Sequence, residues 1–389
     1  MRVAHFEVGQ VRGELVSPRW ERELSSLRLE DAAWVALYCA VDVPIRPILE
    51  ALRRANSGLA IFGATSFQGI FVPGGFKRGV GLLIADKEDA IDIAVSLKKT
   101  GAAESAAAAQ DACRQVAREL GQKPDVLLLH ATPGFEESVL KGIRAVFGDE
   151  VPVYGGSAAD DDITGRWQIF ANGASANEGF VVAALRSKIP IRGAFLGGYL
   201  PTEFGGTVTR ASGRTVQRID GQPAAEVYNT WTQGKIAYEL EHGGSVLLKT
   251  NLNPIARLMG EPLGMPRRLL SHPHFVNAAD ASLSFFSEFT VGDRITLMTS
   301  TKNPLVTRVA RSVQRARGTS GASTRAGLLV YCGGCLSVLL DRANDIAREF
   351  ASELDGAPFI GLATFGEQGQ FFDRTSSQHG NLMCTVLLF

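Results

Sequence analysis

Short apolar runs alternate with amphipathic, helix-period stretches along most of the chain, and glycine, proline or asparagine marks the joins. Strands and helices alternate from LRLEDAAWVALYCAVDVPI onward, with a helix expected over Pro47 to Ala55 that stops near Asn56 and Gly58. Leu59 to Phe62 leads into Gly63, and Gly79 to Asp86 reads as a returning strand. The alanine-rich stretch Gly101 to Leu120 predicts a helix, with Gly121 at its stop. Asp125 to Ala131, Phe135 to Gly148 and Val151 to Gly156 then read strand, helix, strand. That order is a βαβ unit and favours parallel pairing. Trp167 to Val216 reads as hairpins, with turns at Asn172-Gly173, Gly197-Gly198 and Gly205-Gly206. In the second half RRLLSHPHF, ASLSFFSEF, DRITLMTST, AGLLVYCGG, APFIGLATFG and GNLMCTVLLF predict strands. NPLVTRVARSVQRARG predicts one helix, CLSVLLDRANDIAREFASEL a single long amphipathic one, and Gly318 to Thr324 a flexible linker.

One pattern recurs. GLAIFGATSFQGIF, VPVYGGSAADDDITG and APFIGLATFGEQGQF each run from an apolar strand through glycine and small or hydroxylated residues to a polar turn and a further strand, and GAFLGGYLPTEF is a looser fourth copy. Strand ends with bare backbone suit convergence on a cavity, because glycine lets a ligand approach and leaves its N–H groups exposed. The alternative is that these glycines only make tight strand exits. The candidate ligand-binding positions on this pattern are Thr65, Gly155, Gly156, Ser157, Asp160, Asp161, Thr364, Gly366 and Glu367. The expected fold is mixed α/β, in two halves of residues 1–220 and 221–389 divided at the Asp220-Gly221 turn. Each half is a mixed β-sheet flanked by helices, and the two share a ligand cleft.

Charge and composition narrow the function. Forty basic and forty acidic side chains cancel, which disfavours nucleic acid and anionic membrane surfaces as partners. No apolar run approaches the roughly 18 to 20 residues that span a bilayer. Five cysteines, an odd number, fit a reducing compartment, so a cytoplasmic location is expected. Glycine, 42 of 389 residues, exceeds its usual share of about 7%.

Three adjacent carboxylates, Asp160 to Asp162, could hold a cation or a ligand amino group while the glycine N–H groups hold an anionic end, or they could simply cap the local turn. Glu367 stands in the matching position of the third copy. Among the histidines, His130 reads as a satisfied core residue. His272 and His274 flank Pro273, and in an extended strand would present adjacent imidazoles on one face. Cys332 and Cys335 form a C-x-x-C where a strand meets a helix, a place for a redox pair or a metal contact, or for packing alone. Cys39, Cys113 and Cys384 read as core. The serine-hydrolase elbow, the phosphate loop and the zinc-protease helix motif do not occur in the sequence. An enzyme would have to assemble Ser157, Asp160, Glu367 and Cys332 across distant segments.

VPVYGGSAADDD, QIFANG and EGFVVAAL resemble the FIST N-terminal domain, over residues 1–220. GDRITLM, AGLLVYCGGC, FIGLATFGEQGQF and HGNLMCTVLLF resemble the FIST C-terminal domain, over 221–389. The resemblance implies an intracellular sensory, ligand-binding protein of signal transduction. No kinase or cyclase segment follows Phe389, and a chain of this length is similar to the NosP-type haem proteins that sense nitric oxide and regulate a partner histidine kinase. That narrower likeness implies haem as cofactor, a gas ligand and a two-component partner, with His272 and His274 as candidate haem ligands. A haem-free sensor of an amino-acid-like molecule, gripped by GGSAADD, and an enzyme using Cys332 or the Asp160 and Glu367 acids are the alternatives. Homo-oligomers fit any of these readings.

Overall fold

The computed structural model describes residues 1–8, 10–11, 14–15, 18–319, 323–371 and 376–389. Residues 320–322 of the glycine-rich linker lie outside the described residues. The architecture is mixed α/β: three six-stranded mixed sheets flanked by helices, and one larger antiparallel sheet.

The three six-stranded sheets are copies of one unit. At the centre of each lie two parallel strands joined through helix. These are Ala32–Ala40 with Ala60–Ser66 across helix Ile45–Ala55, and Val126–Ala131 with Val153–Gly156 across Glu136–Phe147. In the third unit Gly327–Cys332 pairs with Phe359–Thr364 across Gly333–Ser337 and Ala343–Ser352. Beside the first strand of each pair runs an antiparallel one, respectively Val80–Asp86, Phe180–Ser187 and Met383–Leu388. Outside those lie Arg2–Phe6, Ile91–Lys98 and Arg192–Gly197.

The hairpin that follows each second parallel strand leaves its own sheet. Ile70–Val72 pairs with Phe359–Thr364 of the third sheet, and Ile169–Ala171 with Ala60–Ser66 of the first. Glu367–Gly369 pairs with Val153–Gly156 of the second. Each unit thus gives a hairpin to one neighbour and receives one from the other.

Two-residue alternation explains why the central strands read as unbroken apolar runs: both faces are buried. Val35 and Leu37 face helix Ile45–Ala55. Trp34, Ala36 and Tyr38 face the middle of the molecule, where they meet Leu128, Leu328, Leu362 and Phe389 from the other sheets. Glycine is required where the parallel strands touch. A Cβ at Gly63 would lie 1.7 Å from the Leu37 carbonyl oxygen, and one at Gly155 would lie 1.9 Å from that of Leu129. The equivalent pair in the third unit is Leu329 with Gly361.

Between Gly197 and Lys302 the third unit is interrupted by the antiparallel sheet that includes Leu200–Ser212, Thr215–Ile219 and Arg294–Thr299. The Asp220-Gly221 turn lies inside this insert, between Thr215–Ile219 and Gln222–Pro223. Strands from both sides of that turn pair in the second and third sheets.

Two expected elements differ. GAFLGGYLPTEF is an outer strand of the third sheet followed by the insert's first strand, so it is not a fourth strand end. The expected long helix from Cys335 is broken at Val338 and Leu339. The break buries Leu339 and brings the Asn344 side-chain oxygen to the Phe76 N–H of a swapped hairpin, at 2.8 Å.

Candidate functional site

The three second parallel strands end against one another. Phe67 N–H donates to the Ala363 carbonyl at 2.9 Å, Phe365 N–H to Ser157 at 3.1 Å and Ala159 N–H to Thr65 at 3.0 Å. Counted from the glycines at the parallel contacts, the three donors are equivalent residues and so are the three acceptors. The bonds therefore close a ring. In this register Gly366, rather than Glu367, matches Asp160.

Beyond the ring, the strand-end loops and the insert enclose a cavity of about 460 Å³. Phe67, Pro133, Trp167 and Phe365 come from the three units, and Leu247, Leu248 and Phe286 from the insert. The exposed rim residues Leu248 and Ile163, at 76% and 45% of full exposure, are apolar. Asp161, Asp162 and Ser245 are polar groups of the wall toward its rim, and His272, Asn251, Asn381, Ser337, Cys332 and the backbone of Gly333, Gly334 and Gly366 are the others. A larger depression of about 720 Å³ near Tyr154, Phe195 and Phe371 contains none of the residues singled out from sequence.

Of those residues, Asp161, Asp162, Gly366, His272 and Cys332 reach the cavity wall. Asp161 is held from outside by Arg78, at 2.8 Å, and by the Gln68 N–H. Gly366 has φ of +137°, and a Cβ there would press on the His379 ring. Asp160 is buried, and its carboxylate accepts the backbone N–H groups of Ile163, Thr164 and Arg166 at 2.6, 3.1 and 2.9 Å. It therefore shapes the loop that carries Asp161 and Trp167. Thr65 Oγ1 accepts from the Gln168 N–H, and Thr364 Oγ1 donates to Glu367 at 2.8 Å. Gly155 and Gly156 serve close packing, Gly156 against Thr364 and Val330.

Ser157 donates to Glu136 at 2.7 Å. Burial raises the Glu136 carboxyl, but the His379 and Arg214 charges and its hydrogen bonds prevail and hold it down to about 2. Arg214, on a turn of the insert, grips both Glu136 and Glu137, and the Glu288 N–H donates to Glu137 at 2.9 Å. These contacts fasten the insert to the second unit. Glu136, Glu137 and His379 have ligand atoms within 4.8 Å of one another, but the cation among them is Arg214. Neither cysteine of the C-x-x-C belongs to such a cluster among the described residues.

The histidine pair does not present adjacent rings to the cavity. A register shift between Pro273 and Phe275 breaks the two-residue alternation. His272 faces the cavity and its Nε2 donates to the Leu247 carbonyl at 3.2 Å, whereas His274 stacks on Phe286 at 4.3 Å. Burial lowers His272 to about 3 and His274 to about 4, so both are neutral near pH 7. His130 is the satisfied core residue expected, bonded to Tyr38 and to the Gly156 carbonyl, each at 3.0 Å.

Behind the wall lies a buried polar cluster. Leu382, in the left-handed region at φ +58°, donates its N–H to Cys332 Sγ at 3.2 Å, and its carbonyl faces Cys335 Sγ at 3.8 Å. The next N–H, of Met383, donates to Glu367 at 2.9 Å. Burial lifts the Glu367 carboxyl to about 8. Arg308, fully buried, donates to the Leu382 carbonyl at 2.6 Å and lies over the Tyr331 ring at 4.5 Å. Sequence reasoning missed Arg308, Tyr199, Trp167, Phe286 and Asn251. Only Trp167, an aromatic just beyond the acidic loop, carried a local signal.

An aromatic-walled cavity at the meeting point of several strand ends defines a small-ligand-binding protein. Two family models match in tandem, the FIST N domain over residues 33–222 and the FIST C domain over residues 224–370. The chain belongs to the FIST family, whose domains are signal-transduction sensors that bind small ligands. Comparison with curated proteins finds no match. No helix among the described residues is long and apolar enough to cross a membrane.

Proposed function

We propose that the 460 Å³ cavity is the sensing site and takes a small, largely apolar, aromatic ligand with one hydrogen-bonding end. The observation that carries this is the composition of the wall: aromatic and aliphatic groups from three units and the insert, with few polar atoms. A ligand seated there touches the insert and the strand ends together. It therefore shifts the balance between two placements of the insert, provided it binds them with different free energies, and a signalling partner reads the difference. The GGSAADD segment contributes Asp161 to the wall, while Ser157 and Asp160 have their side chains committed to Glu136 and to loop amides. An amino-acid-like ligand is correspondingly less suited.

The test is a thermal-shift screen of phenols, indoles and naphthols on the parent and on Ser337→Trp, which fills the cavity from a half-exposed wall position. Compounds that raise the melting temperature of the parent are expected to lose that effect in the variant. Equal shifts in both proteins contradict the proposal.

A second reading is a haem sensor of nitric oxide with a histidine kinase as output. It is supported by His272, a neutral imidazole on an aromatic wall, whose Nε2–H is engaged by Leu247 and whose remaining lone pair is on Nδ1. His272 would hold the iron, and bound haem would supply the position at which a diatomic gas binds. A stoichiometric Soret band that His272→Ala abolishes and His274→Ala keeps would support this reading. A parent protein that stays colourless with added haemin would remove it.

A further inference from the structure

Arg308 is fully buried, and among the described residues no carboxylate forms an ion pair with it, although its charge reaches Glu367. Its Nη1 donates to the Leu382 carbonyl, while Nε and Nη2 make no hydrogen bond among the described residues. A guanidinium in that position is costly unless a negative charge lies beside it. Around it are Tyr331, Tyr199 and the sulfur of Cys335, and the Tyr199 hydroxyl is 3.4 Å from that sulfur. The same Leu382 residue bonds Cys332 through its N–H and faces Cys335 with its carbonyl, so both sulfurs of the C-x-x-C are gathered at one residue. Cys332 lies on the cavity wall, and Cys335 is behind it.

We propose that Cys332 and Cys335 form a redox-active dithiol that small disulfides entering the cavity oxidise to an intramolecular disulfide, with Cys335 as the thiolate counter-ion of Arg308. Electrostatics agree. Burial pushes the Cys335 thiol up, but the Cys332 hydrogen bond, the Arg308 charge and the Tyr199 hydroxyl outweigh it and hold it down at about 6. Burial, together with Cys335 and the Glu367 charge, pushes Cys332 well above the ordinary range. The pair therefore carries one proton between two sulfurs.

The exchange balances as follows. Cys332 passes its proton to the Cys335 sulfur across their hydrogen bond and attacks one sulfur of a disulfide RSSR as the thiolate, and the displaced RS⁻ takes that proton from Cys335 and leaves as RSH. The Cys335 thiolate then attacks the Cys332 sulfur of the mixed disulfide and expels the second RS⁻. Two electrons pass from the cysteine pair to RSSR, which is reduced to two thiol equivalents. The product lacks the negative charge beside Arg308.

The test exposes the full-length reduced protein to bis(2-hydroxyethyl) disulfide without air, then denatures it, alkylates it and counts free thiols by intact mass and peptide mapping. Two of the five cysteines are expected to become resistant to alkylation, joined as Cys332–Cys335, with Cys39, Cys113 and Cys384 still free. Cys335→Ser is expected to stop at a mixed disulfide on Cys332, and Cys332→Ser to form neither product. Each variant is checked for native circular dichroism, and the parent result stands without them. Five alkylated cysteines after exposure, or a disulfide between any other pair, would overturn the proposal. The outcome does not depend on which ligand the cavity senses.

Discussion

Asp160 illustrates how a residue can shape a cavity without lining it. Its buried carboxylate accepts three loop N–H groups, and removing it leaves those donors to be satisfied elsewhere. Asp160→Ala is expected to cost about 2 to 4 kcal/mol in urea unfolding. Asp161→Ala, at a partly exposed ion pair, is expected to cost less than about 1 kcal/mol. The acidic run was visible in the sequence, but the division of labour within it depends on which carboxylate the chain turns inward. Protonation gives a second residue-scale prediction. Burial lowers His130 to about 4, as it lowers His274, and His272 to about 3, against 6.5 in the unfolded chain. The unfolded chain binds more protons there, so these histidines withdraw stability as pH falls below 6.5. Glu367 acts in the opposite sense. Its folded value of about 8 lies above 4.5, so its contribution is full below pH 4.5 and declines as pH rises toward 8. Between pH 6 and 4.5 the three histidines prevail, and stability falls with acidification. In Glu367→Gln that fall steepens by about 1.4 kcal/mol per pH unit, measured by denaturant midpoints across pH. An unchanged slope would mean that Glu367 is not held protonated by burial.

At the scale of elements, the three parallel strand pairs depend on glycines where a Cβ has no room. Gly155→Ala, at φ +152° and against the Leu129 carbonyl, is expected to destabilise the protein by about 2 to 4 kcal/mol, whereas Gly165→Ala, in open space, is expected to cost about 1 kcal/mol for its positive φ alone. Chemical denaturation separates them, and equal losses would contradict the close-contact argument. Much of this level was legible. The apolar runs marked the buried strands because both faces are covered, and the glycine-and-small-residue pattern marked the three strand ends. The hairpin exchange was not legible, because a hairpin's local pattern is the same whichever sheet edge it completes. The break after Ser337 was hidden for a similar reason. The helix-period pattern continues through it, and only the contact of Asn344 with Phe76 shows why the chain turns. The expected shared face of His272 and His274 failed at a register shift, a feature set by pairing rather than by composition.

For the whole molecule, cyclic exchange means that no unit completes its own sheet. Residues before and after the Asp220-Gly221 turn pair in two of the three six-stranded sheets, so calorimetry is expected to show one cooperative unfolding transition. Two separable transitions that match residues 1–220 and 221–389 would contradict that interdependence. The same exchange places three loops and the insert around one cavity, which is why a ligand bound there can report to several parts of the fold at once. The most direct measurement is a crystal structure with the strongest compound from the thermal-shift screen. The account predicts that compound between Trp167, Phe286 and the Gly333-Gly334 backbone, in contact with both the units and the insert. Density for it elsewhere, such as the depression beside Tyr154 and Phe195 with the cavity empty, would contradict the assignment of the sensing site.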